Sequence, residues 1–158
     1  MQIRPEDHGV LLEFFPAEAH FLAAILDRIA DEYQSSDRST PAHRGLDGSG
    51  YSPEDEEAWW EERRLHASEH ARQAREWSAL LRNSSGEWVT WRLDPEGVER
   101  FILLANDHRM YLAGRYAIGE EDMDSDLDAF HDDGRRMVLL EIHLLAQLIE
   151  LMLPYAPM

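Results

Sequence analysis

A short apolar stretch near the start of the chain gives way to a helical spacing. The segment VLLEFF after Gly9 has the length and composition of a strand, and Pro16 suits the first turn of a helix. Apolar residues then recur every three or four positions, which predicts a helix from about Ala17 to Tyr33. Residues 35–53 lack this spacing and are rich in Gly, Ser, Thr, Pro and Asp, so they are predicted to form a flexible loop.

A second helix has a clear start. Ser52 can cap it, Pro53 suits its first position, and the acidic residues that follow favour the positive end of the helix dipole. Its apolar residues keep one face as far as about Leu81, opposite a face of spaced Glu and Arg residues. The sequence therefore predicts a long amphipathic helix.

The second half of the chain repeats this alternation of strand and helix. Residues 88–93 are predicted to form a strand, and Asp-Pro-Glu then starts a third helix that reaches about Ile118. An acidic connection over 119–134 leads to a fourth helix from about Arg135 to Leu153, which is apolar around most of its circumference. Such a helix is either central in the fold or forms a subunit contact.

An internal repeat relates the two strands. When the sequence is shifted by 79 residues, the first strand and the start of its following helix align with the later strand and helix. Both helices begin with a proline, and the first core residue of each also aligns. Val10, Leu12, Phe14, Pro16 and Leu22 align with Val89, Trp91, Leu93, Pro95 and Phe101, respectively. Two such strands can pair and satisfy each other's backbone groups. We predict a mainly α fold over residues 1–158 as a single domain: a four-helix bundle-like domain with a small two-stranded sheet.

Composition narrows the function classes. The chain has 158 residues, 32 acidic against 15 basic, and a formal charge of −17, which disfavours direct contact with nucleic acid or an anionic membrane. It has no cysteine, and all of its basic residues are arginine, so thiolate and lysine chemistry are excluded. The start MQIRPEDHG resembles no signal sequence, and we expect a cytoplasmic protein.

One motif suggests metal chemistry. His66, Glu69 and His70 match the H-x-x-E-H pattern of inverted zincin proteases, in which two imidazoles bind zinc and the acid activates water. Glu141 and Glu150 are candidates for a third ligand. Both histidines also fall beside the apolar stripe of their helix, where a flanking core or surface histidine is the simpler interpretation. We therefore expect no metal and no other cofactor.

The acidic connection resembles a calcium loop only in part. Alternating aspartates match the early ligands of such a loop, but Leu127 stands where glycine permits the sharp turn, and Asp133 stands where a bidentate glutamate is usual. We expect a solvated acidic segment. The aspartates concerned are Asp122, Asp124, Asp126 and Asp128.

The segment FILLANDHRMYLAGRYAIGEEDMD resembles a known family. It is similar to the bacterial domain of unknown function "DUF twenty-seventeen", also described as the actinomycete oxidative-stress-regulator-like family, whose members carry a Leu-Asn-Asp-x-Arg-Leu helix before an acidic turn. Asn106, Asp107 and Arg109 match that motif, while Ala105 and Met110 replace its two leucines. The resemblance implies no established enzymatic activity, genes often beside the Clp protease adaptor, and action through a transcription partner. Without cysteine, a thiol-based sensor cannot be carried over.

The motif also predicts a buried polar network of Asn106, Asp107, Arg109 and Glu141. The apolar face predicted for the third helix contains Val98, Phe101, Ile102, Ala105, Leu112 and Tyr116. Arg109 projects from the middle of that face, and a charge in that position needs a partner. Glu141 on the last helix is the candidate that we favour, and Asp107 from a neighbouring turn is the alternative. Such a pair is predicted to fix how the helices pack rather than to bind a ligand.

The function indicated by these patterns is non-enzymatic. We expect a regulatory or adaptor protein that acts through contacts with an unidentified protein partner, and the apolar last helix also offers a contact face for a homodimer. The alternative is a small metal-dependent hydrolase centred on His66, Glu69 and His70. Metal analysis separates the two hypotheses.

Overall fold

The elements follow one another in an order close to the predicted one. A computed structural model describes residues 1–35, 52–124 and 133–157, without the side chains of Glu56, Trp59 and Asp124. The elements are β1 (Gln2–Glu6), β2 (Gly9–Phe14), α1 (Pro16–Gln34), α2 (Pro53–Asn83), β3 (Val89–Leu93), α3 (Pro95–Arg115), α4 (Glu120–Asp124), α5 (Asp133–Met152) and a closing 3₁₀ turn (Leu153–Tyr155). The described part of the chain is mainly helical, as the apolar spacing predicted.

The sheet is antiparallel, with strand order β1-β2-β3. Its pairing of β2 with β3 is the one that the internal repeat predicted, with Leu12 opposite Trp91. One face of this pair is fully buried and packs into the core, since Val10, Leu12, Phe14, Val89, Trp91 and Leu93 all lie on it. The prediction of two strands was wrong in number, because β1 adds a third.

The strand β1 was not predicted, because it is an edge strand with little apolar character. Pro5 lies within it, which an edge strand tolerates. A two-residue connection joins it to β2, with Glu6 opposite Gly9. Gly9 has φ +138, and a Cβ there would lie 1.9 Å from the carbonyl oxygen of Leu93. The hairpin therefore requires glycine at this position.

Local capping explains where the long helices begin. The Oγ of Ser52 accepts a hydrogen bond from the backbone N–H of Asp55 at the start of α2. The carboxylate of Asp94 likewise accepts from the backbone N–H of Gly97 at the start of α3. Both helices carry proline in the first turn, as the sequence indicated. At its other end, α3 stops at Arg115, short of the predicted Ile118.

The main core lies between the sheet and the helices. The Trp91 ring meets Phe101 of α3 and Trp77 of α2 edge-on, each with a centroid separation of 5.4 Å. Among the helices, α1 packs along α2 and α3 packs against α5. A smaller apolar cluster forms where the end of α3 meets α5, and it includes Leu112, Leu139 and Ile142. These contacts bring α1, α2, α3 and α5 together around the site described below.

The two predicted connections lie largely outside the described residues. Of the predicted flexible loop over 35–53, residues 36–51 fall there. Within the acidic connection, Glu120–Asp124 form the short helix α4, and residues 125–132 fall outside the description. Most of the calcium-like pattern lies in that second gap.

The last helix is apolar enough to raise the question of a membrane span. Within the described ranges, Asp133–Tyr155 is the single segment that passes a test of length and composition, with a mean hydropathy of 1.7. A core helix passes the same test. In this fold one side of α5 is buried against the protein, and Leu139, Leu145 and Leu148 are inaccessible there.

Candidate functional site

A cleft of about 220 Å³ opens where α1, α2 and α3 meet. Most of the side chains around it are polar or titratable, and they include both histidines of the H-x-x-E-H motif, which makes it a candidate site. Behind it, a chain of buried polar groups runs from α2 through α1 and α3 to α5. The cleft is lined by Tyr33, Glu62, Arg63, His66, His70, Leu103 and Asp107.

The deepest part of this chain centres on His108. Its imidazole is buried between two carboxylates, with Nδ1 2.9 Å from Oε2 of Glu32 and Nε2 3.0 Å from Oε1 of Glu141. Arg28 donates to the same Glu141 oxygen from Nε at 3.1 Å and from Nη2 at 2.9 Å. His108 therefore connects α1 to α5 through α3.

The geometry favours the doubly protonated form of His108. A neutral imidazole has one N–H donor, whereas both ring nitrogens here face carboxylate acceptors. Burial by itself would lower the pKa of His108, but the hydrogen bonds and charges of Glu141 and Glu32 outweigh it and raise that pKa to about 9. Burial raises the pKa of Glu32, while for Glu141 the His108 and Arg28 interactions overcome burial and lower the pKa.

A second polar group lies beside the first and faces the cleft. The Tyr33 hydroxyl donates to Oδ2 of Asp107 at 2.5 Å, and Arg63 donates to the same oxygen. The Arg63 guanidinium also lies over the Tyr33 ring, 4.3 Å from its centroid. Burial, followed by the neighbouring Asp107, raises the pKa of the Tyr33 hydroxyl. Tyr33 follows Glu32 in α1 and Asp107 precedes His108 in α3, so the two groups are neighbours, and the charges of Arg63 and Asp107 act on the pKa of Glu32.

The predicted network residues are not brought together as expected. Glu141 is buried, as predicted, but its partners are His108 and Arg28 rather than Arg109. The alternative partner Asp107 binds Tyr33 and Arg63. Asn106 is exposed.

Arg109 itself is half-buried, and its Nε has no hydrogen-bond partner among the described residues. Burial lowers the pKa of Arg109, and the charge of Glu150 acts in the opposite direction. The predicted pairing of Arg109 with Glu141 or Asp107 was therefore wrong.

The reason is a rotation of the predicted apolar face of α3. The prediction included Ile102 and Tyr116 in that face, and Arg109 lies midway between them. In the structure Tyr116 is exposed and caps the helix end. The buried stripe keeps the predicted Phe101, Ala105 and Leu112 and adds Leu104 and His108. His108 lies four residues from both Leu104 and Leu112, and this spacing is the sequence signal that could have identified it.

The H-x-x-E-H motif divides between two environments. His66 and His70 both line the cleft, with ring centroids 5.9 Å apart. Glu69 instead lies 3.5 Å from Arg100 on α3. In the part of the chain that the structure describes, no three metal-ligating side chains are close enough to hold an ion as they stand. The candidate third ligand Glu141 is part of the His108 cluster.

The arrangement separates two kinds of polar side chain. Two hydrogen-bonded groups hold helices together. One contains Arg63, Tyr33 and Asp107, and the other contains Glu32, His108, Glu141 and Arg28. Buried polar groups that satisfy each other in this way contribute to a unique packing of the core. On the open side of the cleft, the titratable groups are Glu62, His66 and His70 on α2.

Comparison with known proteins gives the family. No curated protein and no solved structure matches the chain at a significant level. A family model described as "Domain of unknown function (DUF2017)" matches residues 1–154, which is nearly the whole chain. The chain therefore belongs to the DUF2017 family.

Proposed function

We propose that this protein is a non-enzymatic regulatory or adaptor protein that acts in the cytoplasm through protein contacts, without direct binding to nucleic acid or membrane. The buried polar chain supports this proposal, because its groups are committed to one another. In the proposal, α1, α2, α3 and α5 serve as a four-helix bundle-like scaffold. Their role is to present a surface rather than a reaction centre.

The observation that carries the proposal is the outer side of α5. While one side of this helix packs against α3, Met137 and Leu140 on another side are 50% and 38% exposed. They are three residues apart and so lie on one face. Large apolar side chains grouped in this way are typical of a surface that another protein covers.

A second copy of the chain is the partner that we test first. A two-fold contact would place the apolar face of α5 against itself. The charge of −17 per chain opposes association elsewhere on the surface, since like charges repel. Screening by salt weakens this repulsion, so a dimer held by α5 is expected to become more stable as salt increases.

The experiment uses the double variant Met137→Ser with Leu140→Ser, and Leu65→Ser as a matched control. Leu65 lies on α2 and is 79% exposed, so its replacement removes a comparable apolar side chain from a different surface. Light scattering on the full chain is expected to show a dimer for the wild type and the control, and a monomer for the double variant. Circular dichroism checks that each variant is folded.

A strictly monomeric wild type at high concentration would overturn the homodimer. The broader proposal is then tested by affinity purification from the native cell. A partner that is retained by the Leu65→Ser control and lost by the double variant supports contact through α5. A partner retained equally by both would contradict it.

The competing hypothesis is a small metal-dependent hydrolase that uses His66, Glu69 and His70. That mechanism needs the Glu69 carboxylate beside metal-bound water. In the structure this carboxylate pairs with Arg100, outside the cleft that the two histidines line. Zinc-dependent hydrolysis that is lost in Glu69→Gln would favour the hydrolase over the adaptor.

A further inference from the structure

The strand β3 has no further strand beside it in the described residues. The order of the sheet is β1-β2-β3, so β3 pairs with β2 on one side only. Alternate residues of such an edge strand direct their backbone N–H and C=O groups away from the sheet. The register of the sheet determines which residues of β3 do so.

The hairpin between β1 and β2 fixes this alternation. It has two connecting residues, so its closing pair, Glu6 and Gly9, is a hydrogen-bonded pair. The backbone of the next residue, Val10, is then directed toward its partner Leu93 on β3. The position of the Leu93 carbonyl agrees, because its oxygen lies 1.9 Å from where a Cβ of Gly9 would be. The backbone groups of Leu93 therefore face β2.

Alternation along β3 then places its outward backbone groups at Thr90 and Arg92. Both residues are exposed, whereas their neighbours Val89 and Trp91 are buried. Among the described residues, no hydrogen bond from another element reaches the backbone of Thr90 or Arg92. The N–H and C=O groups of these two residues are free to pair with another extended chain.

The opposite edge of the sheet is blocked by a proline. The same alternation directs the backbone of Pro5 in β1 outward, and proline has no N–H to donate. The sequence of β3, VTWRL, contains no proline, and its valine, threonine and tryptophan favour strands. Of the two edges, β3 is therefore the one that a further strand can join.

An exposed pair of aromatic rings lies beside this edge. Trp88 comes directly before β3 and Phe15 directly after β2, and their rings stack with centroids 4.5 Å apart. Trp88 is 40% exposed and Phe15 is 53% exposed. Trp88 is two residues from Thr90, so it lies on the same outer face of the sheet. Exposed aromatic side chains are common anchors in protein contacts.

We propose that the outer edge of β3 binds an extended segment of a partner protein as an added antiparallel strand, with a basic side chain of that segment over Trp88. The free backbone groups of β3 recognise an extended polypeptide, as in other cases of strand addition. An exposed indole ring attracts a cation. Glu87 beside it is exposed, and the chain carries a charge of −17, so a basic partner is favoured.

The positive charge of Arg92 does not oppose this assignment strongly. Its Nε donates to both carboxylate oxygens of Glu6, each at 3.2 Å, so the charge is compensated within the sheet. This binding edge lies on the sheet and is a surface beyond the contact proposed for α5. The Met137→Ser with Leu140→Ser variant is therefore expected to bind the added strand as the wild type does.

The first experiment is an NMR titration of the full chain with a capped peptide of sequence Ser-Thr-Val-Arg-Val-Thr-Ser. In the free protein the amide protons of Thr90 and Arg92 are expected to exchange rapidly with solvent, and in the complex they are expected to exchange slowly. The amides of Val89 and Trp91 are expected to exchange slowly in both states, because they face β2. A peptide with glutamine in place of arginine is expected to bind at least about threefold more weakly.

Variants of the protein separate the backbone contact from the side-chain contact. Thr90→Pro removes an outward N–H and leaves the pairing with β2 in place, so it is expected to weaken binding at least about tenfold. Thr90→Val keeps that N–H and is expected to bind as the wild type does. Trp88→Ser keeps the net charge and is expected to weaken binding at least about threefold. Circular dichroism checks the folding of each variant.

The proposal is wrong if the wild type does not bind the peptide, or if Thr90 and Arg92 already exchange slowly in the free protein. The exchange measurement uses the wild type, so it decides even where Thr90→Pro does not fold. Equal binding of the arginine and glutamine peptides would overturn the basic residue. A dimer of the α5 double variant that is lost in Thr90→Pro would show that a second copy occupies the edge, in place of a different protein.

Discussion

The Nε2 atom of His108 lies 3.0 Å from Oε1 of Glu141, across the contact between α3 and α5. The opposite ring nitrogen binds Glu32 of α1, so one side chain links three helices. When His108 is protonated, the two positive charges of His108 and Arg28 balance the two negative charges of Glu32 and Glu141. His108, Glu32 and Glu141 are shielded from solvent and Arg28 lies at the exposed edge of the cluster, so this balance of charges avoids the cost of an isolated buried ion.

Stability is expected to fall as the pH rises from 6.5 to 9. The pKa of His108 is about 9 in the folded protein, against 6.5 for an unperturbed histidine. In this range the folded state therefore binds more protons than the unfolded state. The stabilisation that His108 contributes is complete below pH 6.5 and is lost as the pH rises past 9. One pKa unit corresponds to 1.36 kcal/mol, so the loss is on the order of 3 kcal/mol. Urea unfolding at several pH values measures it.

The same titration includes two variants. His108→Gln is expected to remove the pH dependence, whereas His20→Gln on the exposed side of α1 is expected to retain it. Unfolding free energies of the wild type that stay level or rise over this range would contradict the protonated assignment.

Glu141→Gln is expected to destabilise the protein by about 3 kcal/mol, because removing one partner of a buried pair leaves the others uncompensated. Glu150→Gln on the same helix changes an exposed residue and is expected to cost less than about 1 kcal/mol. Chemical unfolding at neutral pH measures both values. Equal effects of the two substitutions would mean that Glu141 has no special role.

Arg109→Met is expected to be neutral or stabilising. The Nε of Arg109 is buried without a hydrogen-bond partner among the described residues, so replacement by an unbranched apolar side chain relieves an unfavourable burial. Arg63→Met removes a cation that binds Asp107 and lies over Tyr33, and it is expected to cost about 2 kcal/mol. Thermal unfolding compares the two. A larger loss of stability in Arg109→Met than in Arg63→Met would contradict this prediction.

Gly9→Ala is expected to destabilise the protein by at least about 2 kcal/mol, because it combines an unfavourable φ with a clash against the backbone of β3. Gly119→Ala is the control, since an added Cβ there meets nothing within 4 Å. Both variants can be compared by urea unfolding. A Gly9→Ala protein as stable as the control would show that the hairpin tolerates a side chain.

Much of the fold was predictable because local signals agree with the packing. Ser52 and Asp94 cap α2 and α3 as their sequence context indicated, and the repeat identified the strands that pair. The first strand was not predictable from apolar spacing, because Pro5 and polar neighbours conceal it. The need for glycine at position 9, opposite Glu6 of β1, follows from its φ of +138 and from the close approach of β3.

The site was predictable only in part. Glu141 was predicted to be a buried acid because it falls among apolar residues of its helix, and in the structure it is 6% exposed. The partner of Glu141 was predicted wrongly as Arg109. His108 and Arg109 are adjacent in α3, so an error of about one residue in placing the buried stripe of this helix selects Arg109 where His108 is the buried residue. The participation of Glu32 and Arg28 depends on how α1 meets α5, which no spacing within one helix reveals.

The most direct test is an NMR titration of the His108 ring nitrogens. We predict that both nitrogens carry a proton at pH 7 and that the ring loses one with a pKa near 9. A ring that is already neutral at pH 7, with one nitrogen unprotonated, would contradict the charge-balanced cluster that links α1, α3 and α5.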